Sequence, residues 1–300
     1  MSVFLGIDTS NYTTSVALFN SADFSVNQLK LPLPVKDGEV GLRQNDTVFL
    51  HNKALPNLLE QILKEIKIDG IGVSSRPRNV EGSYMPCFTV GLGYAKALSA
   101  ALHIPFYTFS HQEGHIYSAL YSANKLDFKN ESFIFFHISG GTTEVLDITS
   151  ENITIIGKTL DISAGQLIDR VGVKMGLPFP CGVYVEDLAK KSKNNIKTIS
   201  CVKENNCNFS GTENKCLKML EDGISKEDVS LFLINSISAT LEKMLQNKGK
   251  PIVLAGGVMS NSIIKENLIK YKNVYFAKPE FSLDNAAGLA ILAYEQVKYE

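Results

Sequence analysis

The feature that most constrains the fold is a pattern of strand, small polar turn and strand that occurs twice in the chain. An apolar strand ends at Asp8-Thr9-Ser10, and a second apolar strand follows from Thr13-Thr14. The same order returns at residues 133–138, with Ser139-Gly140-Gly141 as the turn and Thr142-Thr143 before the next strand. Two copies of one supersecondary unit indicate a duplication. The sequence therefore predicts an α/β protein of two similar lobes that face each other.

Helical and extended patterns alternate through the rest of the chain, as they do in α/β proteins. Further strands are predicted at residues 24–31, 71–74, 106–109, 153–156, 252–255 and 274–277. Helices are predicted at residues 50–66, 88–102, 111–121, 225–241 and 258–269, and from about residue 284. We expect a first lobe over residues 1–109 and a second over residues 110–300. The second lobe should carry a surface excursion near residues 190–214, which are polar and have little periodicity.

The overall charge bears on the possible partners. The chain has 30 basic and 31 acidic side chains and a net charge of −1. Such a chain has no general attraction for nucleic acid or for an anionic membrane. A polyanion would therefore have to bind to a local basic patch or to a partner subunit. One candidate patch consists of Lys190, Lys191, Lys193 and Lys197, which is also the pattern of an ordinary solvated loop.

The location of the protein follows from its apolar segments and its cysteines. The apolar runs are only as long as a strand, and the N-terminus lacks a signal-peptide pattern, so we expect a cytoplasmic protein without a membrane segment. The five cysteines are odd in number and include no CxxC pair. Free thiols are therefore expected, with neither a disulfide framework nor a structural zinc site.

Three loops of small residues are candidates for binding phosphate, at residues 8–10, 139–143 and 256–261. Each follows a predicted strand, and the third leads into a helix. Phosphate binding needs backbone N–H groups close to the ligand, and small residues leave room for that approach. Each loop alone is equally an ordinary turn. Their presence in both copies of the repeat favours a nucleotide site between the lobes.

A pair of histidines, His111 and His115, is the second chemical signal. Residues four apart on a helix project from the same face, so both imidazoles can reach one metal ion. Gly114 lies between them and indicates that another part of the chain approaches closely, because glycine weakens a helix. The motif is not the HExxH of zinc proteases, because Glu113 is its third residue and not its second. A solvated or helix-capping role is the alternative for the pair.

A third ligand is expected from Asp284, at the start of an apolar segment of small residues. On its own, this position is typical of a helix N-cap. Together with the histidines it forms a set of two imidazoles and one carboxylate. Such a set suits iron or zinc and leaves positions open for a substrate oxygen.

These motifs resemble those of the bacterial tRNA threonylcarbamoyl transferase family, TsaD, formerly called O-sialoglycoprotein endopeptidases and related to the archaeal and eukaryotic Kae proteins. The resemblance covers nearly the whole chain. The matching motifs are GIDTS at residues 6–10, SHQEGH at 110–115, ISGGTT at 138–143, GQLIDR at 165–170, GLPFPCG at 176–182, AGGVMSN at 255–261 and LDNAAG at 283–288.

The resemblance implies an actin-like ATPase fold, related to Hsp70 and the sugar kinases, with two duplicated lobes around a nucleotide cleft. It implies that iron, or zinc as the alternative, is held by His111, His115 and Asp284. Threonylcarbamoyl-adenylate, or ATP or AMP, would be bound by His137, Ile138, Ser139, Gly140, Gly141, Asp169, Gly182 and Asn261. Asp169 would accept hydrogen bonds from ribose hydroxyls. The structural alternative for Asp169 is a surface helix residue.

The activity implied is transfer of threonylcarbamoyl from the adenylate to N6 of adenosine 37 in tRNAs that read codons beginning with A. TsaB-like and TsaE-like proteins would be the partners. The sequence departs from the family at several positions: Thr142 stands where a histidine is usual, Cys181 where a glycine is usual, and Asn11-Tyr12-Thr13 where cysteine and acidic residues are common. The alternatives are a divergent transferase with another acceptor amine and a noncatalytic TsaB-like scaffold. A metalloprotease would need a glutamate at the second position of the histidine motif, which this chain lacks. A kinase would need a catalytic carboxylate near the γ-phosphate in place of a metal site.

Overall fold

The computed structural model describes residues 2–10, 12–34, 42–194, 196–246 and 248–298 of the chain. Their contacts divide them into two compact units. Unit 1 consists of the described residues of Met1–Asn124 and Leu283–Glu300, and unit 2 consists of those of Lys125–Ser282.

Both units are built from strands and helices in alternation. The strands are β1 (Val3–Ser10), β2 (Thr13–Asn20), β3 (Ser25–Pro32), β4 (Gly70–Arg76), β5 (Phe106–Ser110), β6 (Phe133–Ile138), β7 (Thr143–Ile148), β8 (Ile153–Lys158), β9 (Val202–Lys203), β10 (Asn206–Cys207), β11 (Ile252–Ala255) and β12 (Val274–Phe276). The helices are α1 (Gln44–Leu63), α2 (Phe88–Leu102), α3 (His111–Ser122), α4 (Ala164–Lys174), α5 (Gly182–Ala189), α6 (Ser210–Glu221), α7 (Lys226–Leu245), α8 (Ser262–Leu268), α9 (Pro279–Ser282) and α10 (Ala287–Val297). Within the described ranges, no helix has both the length and the apolarity needed to cross a membrane.

The two units contain the same five-stranded sheet, which confirms the predicted α/β class and the duplication. The strand order is β3-β2-β1-β4-β5 in unit 1 and β8-β7-β6-β11-β12 in unit 2. The first three strands of each order are antiparallel neighbours. Strands β4 and β5 run parallel to β1, and β11 and β12 run parallel to β6. Parallel neighbours require crossover connections, and helices lie within them.

Helices bury the apolar faces of both sheets. In unit 1, Leu5 and Ile7 of β1 pack with Leu55 of α1 in one core cluster. In unit 2, Phe136 of β6 packs in a cluster with Phe232 of α7. Full burial of each such side chain contributes about 1.5–3 kcal/mol. This packing makes the sheets rigid and so fixes the positions of the polar residues at the ends of their strands.

The two units divide at a different point from the expected boundary after residue 109. Helix α3 packs in unit 1, and the chain returns to unit 1 to form α10. Helix α10 lies directly on β1 and β4 because Gly6 and Gly72 have no side chain there. A Cβ at Gly6 would overlap the carbonyl oxygen of Ala286, and one at Gly72 would overlap that of Leu289. A boundary inferred from the repeat leaves α10 out of unit 1, because this helix follows the second copy of the repeat in the sequence.

The segment expected to be a surface excursion, residues 190–214, is only partly one. The hairpin β9–β10 and the start of α6 lie inside it. Cys207 and Phe209 are fully buried. The carboxylate of Asp161 accepts hydrogen bonds from the backbone N–H groups of Phe209 and Ser210, at 2.8 and 2.9 Å. Two buried side chains and one carboxylate therefore anchor a segment whose composition is mostly polar.

Replacing Asp161 by alanine is expected to lower the free energy of unfolding by about 1 kcal/mol at pH 7, because backbone donors lose a charged acceptor that is exposed and partly screened by solvent. Burial alone would raise the pKa of the Asp161 carboxyl, but hydrogen bonds from Ser210, Phe209 and Ile162 hold it well below its usual range. A pKa lowered by folding stabilises the folded protein above the unfolded-state pKa, and this contribution is lost as the pH falls.

Urea denaturation at pH 7 and at about pH 3 checks this expectation. The difference between wild type and Asp161→Ala should shrink at the lower pH. Asp187→Ala, at an exposed position of α5, is the control and should change stability by less than about 0.5 kcal/mol. Equal losses in the two variants would contradict the anchoring role of Asp161.

Candidate metal centre and anion-binding loops

The parallel strands of unit 1 bring polar residues to one edge of its sheet. Strands β1, β4 and β5 run in the same direction, so their carboxyl ends lie at the same edge. Asp8 is near the end of β1, Ser74 is near the end of β4, and His111 directly follows β5. Residues far apart in the sequence therefore meet there.

Helix α3 starts at this edge with both predicted histidines. Ser110 caps it, and Glu113 completes a capping box: the backbone N–H of Ser110 donates to the Glu113 carboxylate at 2.6 Å, and the N–H of Glu113 donates to the Ser110 hydroxyl at 3.2 Å. This box fixes the first helical turn. The rings of His111 and His115 then meet edge to face, with their centroids 4.3 Å apart and an interplanar angle of 75°.

The predicted third ligand, Asp284, lies beside both histidines. The Nε2 atoms of His111 and His115 are 2.9 Å apart, and the Asp284 Oδ1 atom is 3.6 Å from the first and 3.2 Å from the second. Ligand atoms about 2.1 Å from a common ion, at tetrahedral or octahedral angles, are about 3.0–3.4 Å apart. The three atoms are close to this spacing, and two imidazole nitrogens with one carboxylate oxygen could hold one metal ion.

A close contact between α3 and α10 brings Asp284 to this position. A Cβ at Gly288 would overlap the carbonyl oxygen of Gly114, so the two helices touch through their backbones. This contact requires a glycine at position 288, whereas a Cβ at Gly114 would lie 3.2 Å from the side chain of Leu289. Asp284 is not the N-cap of α10, because that helix starts at Ala287 and Ala286 occupies the N-cap position. The side-chain oxygen of Asn285 accepts the N–H of Ala287 at 3.0 Å.

The charges of this centre favour a cation. Burial opposes protonation of His111, but the charge of Asp8 and hydrogen bonds with Asp284 and Asp8 raise the pKa of His111 to about 10. Burial acts to raise the pKa of Asp284, yet its hydrogen bonds to His111 and His115 hold that pKa well below the usual range. Positive charge is therefore stabilised between the two carboxylates, and a bound metal ion supplies it as a proton does.

The first of the three expected phosphate loops, residues 8–10, does not serve that purpose. These residues are the end of β1 and are almost fully buried. The Thr9 hydroxyl donates to the Cys87 carbonyl oxygen at 3.0 Å, and the Ser10 hydroxyl donates to Asp8 at 2.9 Å. Asp8 in turn contacts His111. In the described residues, this small polar run is therefore packed against the candidate metal centre and is not an open loop.

In unit 2, the other two loops lie at one edge of the sheet. Strands β6 and β11 are parallel and pair through His137 and Ala255, so the turns after them are neighbours. The first turn is closed by a hydrogen bond from the Ser139 N–H to the Thr142 carbonyl oxygen at 2.8 Å. Gly140 and Gly141 are exposed, and a Cβ at either would meet no other atom. The backbone of this turn is therefore accessible to a ligand.

The N-terminus of α4 also lies against this turn. Ser163 caps α4 and donates its hydroxyl hydrogen to the Gly140 carbonyl oxygen at 2.6 Å. The N–H of Ala164 donates to the Thr143 hydroxyl at 2.9 Å. The positive end of a helix is thus placed beside an open glycine turn, a combination that favours anions.

Asp169 connects α4 with the start of α5. It is half-buried, and its Oδ1 atom accepts the N–H of Cys181 at 2.8 Å, next to Gly182. Burial raises the pKa of Asp169, and the Cys181 hydrogen bond opposes that shift. Asp169 is therefore more than a surface residue of a helix. The Cys181 side chain itself is buried against Gly172, so this departure from the family faces the core.

The remaining expected binding residues have structural roles as well. Asn261 is buried and caps α8, with its side-chain oxygen accepting the N–H of Ile264 at 3.1 Å. Ile138 is fully buried, so only its backbone is available to a ligand. His137 is half-buried at the end of β6. The residues of the two turns are brought together by strand pairing, and Asp169 and Gly182 are linked through Cys181.

Known proteins resemble this chain over almost its whole length. The family model described as TsaD, tRNA N6-adenosine threonylcarbamoyltransferase, matches residues 46–291. A protein of Thermosipho melanesiensis with that name is 31% identical, over 98% of this chain and 94% of its own. One from Nanoarchaeum equitans is 29% identical, over 97% and 92%.

Among solved structures, the (R)-2-hydroxyglutaryl-CoA dehydratase component A of Acidaminococcus fermentans is similar, with a TM-score of 0.61 and 14% sequence identity. The match covers 99% of this chain and 100% of that one. At that identity the likeness concerns the fold alone. It confirms the actin-like ATPase fold that the resemblance implied.

Proposed function

The chain belongs to the tRNA N6-adenosine threonylcarbamoyltransferase family, and on that premise we propose which of its residues carry each part of the reaction. The protein is an acyltransferase of threonylcarbamoyladenosine synthesis, with tRNA as its substrate. In the proposed reaction, N6 of adenosine 37, in tRNAs that read codons beginning with A, attacks the carbamoyl carbon of threonylcarbamoyl-adenylate. The bond to the phosphate oxygen breaks, AMP leaves with the electron pair, and N6 loses a proton.

The observation that carries the assignment is the convergence of His111, His115 and Asp284 in unit 1. We assign iron to this set, with zinc as the alternative, because both metals accept imidazole and carboxylate ligands. When bound, the ion supplies a Lewis acid for a substrate oxygen. The residues hold three ligand atoms in place and leave other coordination positions open. A noncatalytic scaffold would have no need of this set.

Unit 2 is the proposed site for the adenylate. The turn at Ser139, Gly140 and Gly141 offers an accessible backbone for the phosphate, next to the N-terminus of α4. His137, Ile138, Gly182 and Asn261 are the further positions assigned to this ligand. One oxygen of Asp169 accepts the Cys181 N–H, and we assign the other to a ribose hydroxyl.

Recognition of tRNA is proposed to involve partner subunits of the TsaB-like and TsaE-like kinds. With a net charge of −1, the chain supplies no general attraction for phosphate groups. Among the lysines of the candidate patch, Lys190 is paired with Glu186 at 2.6 Å, which reduces its availability to RNA. A partner subunit with a positively charged surface would supply the missing attraction for tRNA.

The decisive assay combines the protein with unmodified tRNA, threonine, bicarbonate, ATP, the adenylate-forming enzyme and the partner proteins. We expect threonylcarbamoyladenosine in digests of the tRNA, detected by mass spectrometry. Gly140→Leu should reduce its rate of formation about 100-fold, because the new side chain occupies the approach to the turn, while its Cβ meets no atom of the described residues.

Gly211→Leu is the matched control, since a Cβ at Gly211 also meets nothing and this exposed position of α6 lies outside the site. It should leave the rate unchanged. Absence of modified adenosine with the wild-type protein, while a known family member succeeds in parallel, would reject tRNA as the acceptor. Transfer to another amine would then be the better description.

A further inference from the structure

We propose that Asp8 is a positioning residue of the metal centre, whose carboxylate holds His111 in the one tautomer that can bind the metal. The inference rests on the proposed metal site and adds a residue to it. Asp8 is fully buried. Both oxygens of its carboxylate have hydrogen-bond partners. This arrangement determines what His111 can do.

The two nitrogens of His111 face different partners. Its Nδ1 atom is 3.0 Å from the Asp8 Oδ2 atom, whereas its Nε2 atom faces His115 and Asp284. An ionised carboxylate only accepts hydrogen bonds, so the proton must be on Nδ1. The Nε2 lone pair is then directed toward the other two ligands. The opposite tautomer would place its proton where the metal binds.

Two hydroxyl groups keep the Asp8 carboxylate in this orientation. Ser10 donates to Oδ2 at 2.9 Å, and Ser74, at the end of β4, donates to Oδ1. Both serines are buried. A carboxylate with two fixed donors has little freedom to rotate, so the His111 ring is fixed by the same contacts. Partners of this kind also make the bound imidazole more basic.

The test measures zinc affinity of the full-length protein by competition with a chromogenic chelator. We expect Asp8→Asn, which keeps the size and removes the charge, to weaken zinc binding about 10- to 100-fold. Asp69→Asn is the matched control: Asp69 accepts the N–H of Val3 at 2.8 Å, next to the opposite end of β1. That variant should bind zinc as the wild type does.

A second measurement separates positioning from a structural role. Long-range proton–nitrogen NMR spectra of the zinc-loaded wild type should show His111 protonated at Nδ1 and bound at Nε2. In Asp8→Asn the His111 signals should lose this fixed pattern, a change that a loss of stability alone does not produce. Urea denaturation of the metal-free variant should give a lower stability than that of the wild type, because removing one partner of the buried Asp8–His111 pair leaves the other without its counter-charge. If Asp8→Asn fails to fold, Ser74→Ala should show a smaller loss of affinity, about threefold.

Wild-type zinc affinity in Asp8→Asn would overturn the proposal, and so would wild-type affinity in Ser74→Ala if Asp8→Asn does not fold. Reduced stability with unchanged affinity would also overturn it and leave Asp8 a structural role. If the wild-type protein itself bound no zinc or iron, the proposed metal site would fail first, and Asp8 would have no ligand to position.

Discussion

His115→Ala and Asp284→Asn are each expected to reduce the metal content of the purified protein to less than a tenth of the wild-type value and to slow tRNA modification about 1,000-fold. The three ligand atoms lie within 4.8 Å of one another, and each change leaves only two of them. Loss of a Lewis acid costs several kcal/mol of transition-state stabilisation, and each 1.36 kcal/mol is a factor of ten in rate. Elemental analysis by mass spectrometry, followed by the reconstituted assay, measures both effects.

His103→Asn is the matched control for these variants. It also removes an imidazole, but from an exposed position after α2, where the backbone has a positive φ of 55° that asparagine tolerates. Metal content and rate should equal those of the wild type. Full metal retention in both His115→Ala and Asp284→Asn would show that the ion, if present, is held elsewhere.

Gly288→Ala is expected to destabilise the protein by about 3 kcal/mol and to abolish metal binding. Alanine is the better helix former by about 1 kcal/mol, but its Cβ would overlap the Gly114 carbonyl oxygen of α3. Backbone on both sides prevents relaxation, so α10 must move away and take Asp284 with it. Urea denaturation and metal analysis of the same sample measure the two effects together.

Gly93→Ala provides the comparison for this change. Gly93 is exposed on α2, and a Cβ there meets no atom. The variant should be as stable as the wild type or up to about 1 kcal/mol more stable. If Gly288→Ala behaved in the same way, the backbone contact between α3 and α10 would not be what positions Asp284.

Much of the fold could be predicted from periodicity. The continuous apolar runs of β1 and β6 and the helical spacing of α2 and α7 dominate their segments, so these elements were expected close to their observed bounds. Helix α4 was missed, although Ser163 and Gln166 form a capping box that the sequence displays. Helices α5 and α6 are short or mostly polar, and their apolar residues are too few to reveal a period.

The candidate site was only partly predictable. The spacing of His111 and His115 indicates a shared face because helix geometry is local. The role of Asp8 could not be inferred, since it depends on β1, β4 and β5 being parallel neighbours. Small polar residues at a strand end suit a phosphate loop and a hydrogen-bonded anchor equally well, and only the packing around them distinguishes the two.

Unit 1 is interrupted by the whole of unit 2, and its last helix supplies Asp284. During translation, the histidines leave the ribosome long before this aspartate does. A nascent chain can therefore fold unit 2 while the first sheet still lacks the helix that covers β1 and β4. Prematurely terminated products that lack Asp284 would have only two of the three proposed metal ligands. Binding of a metal at the proposed site would therefore report that synthesis has proceeded past Asp284.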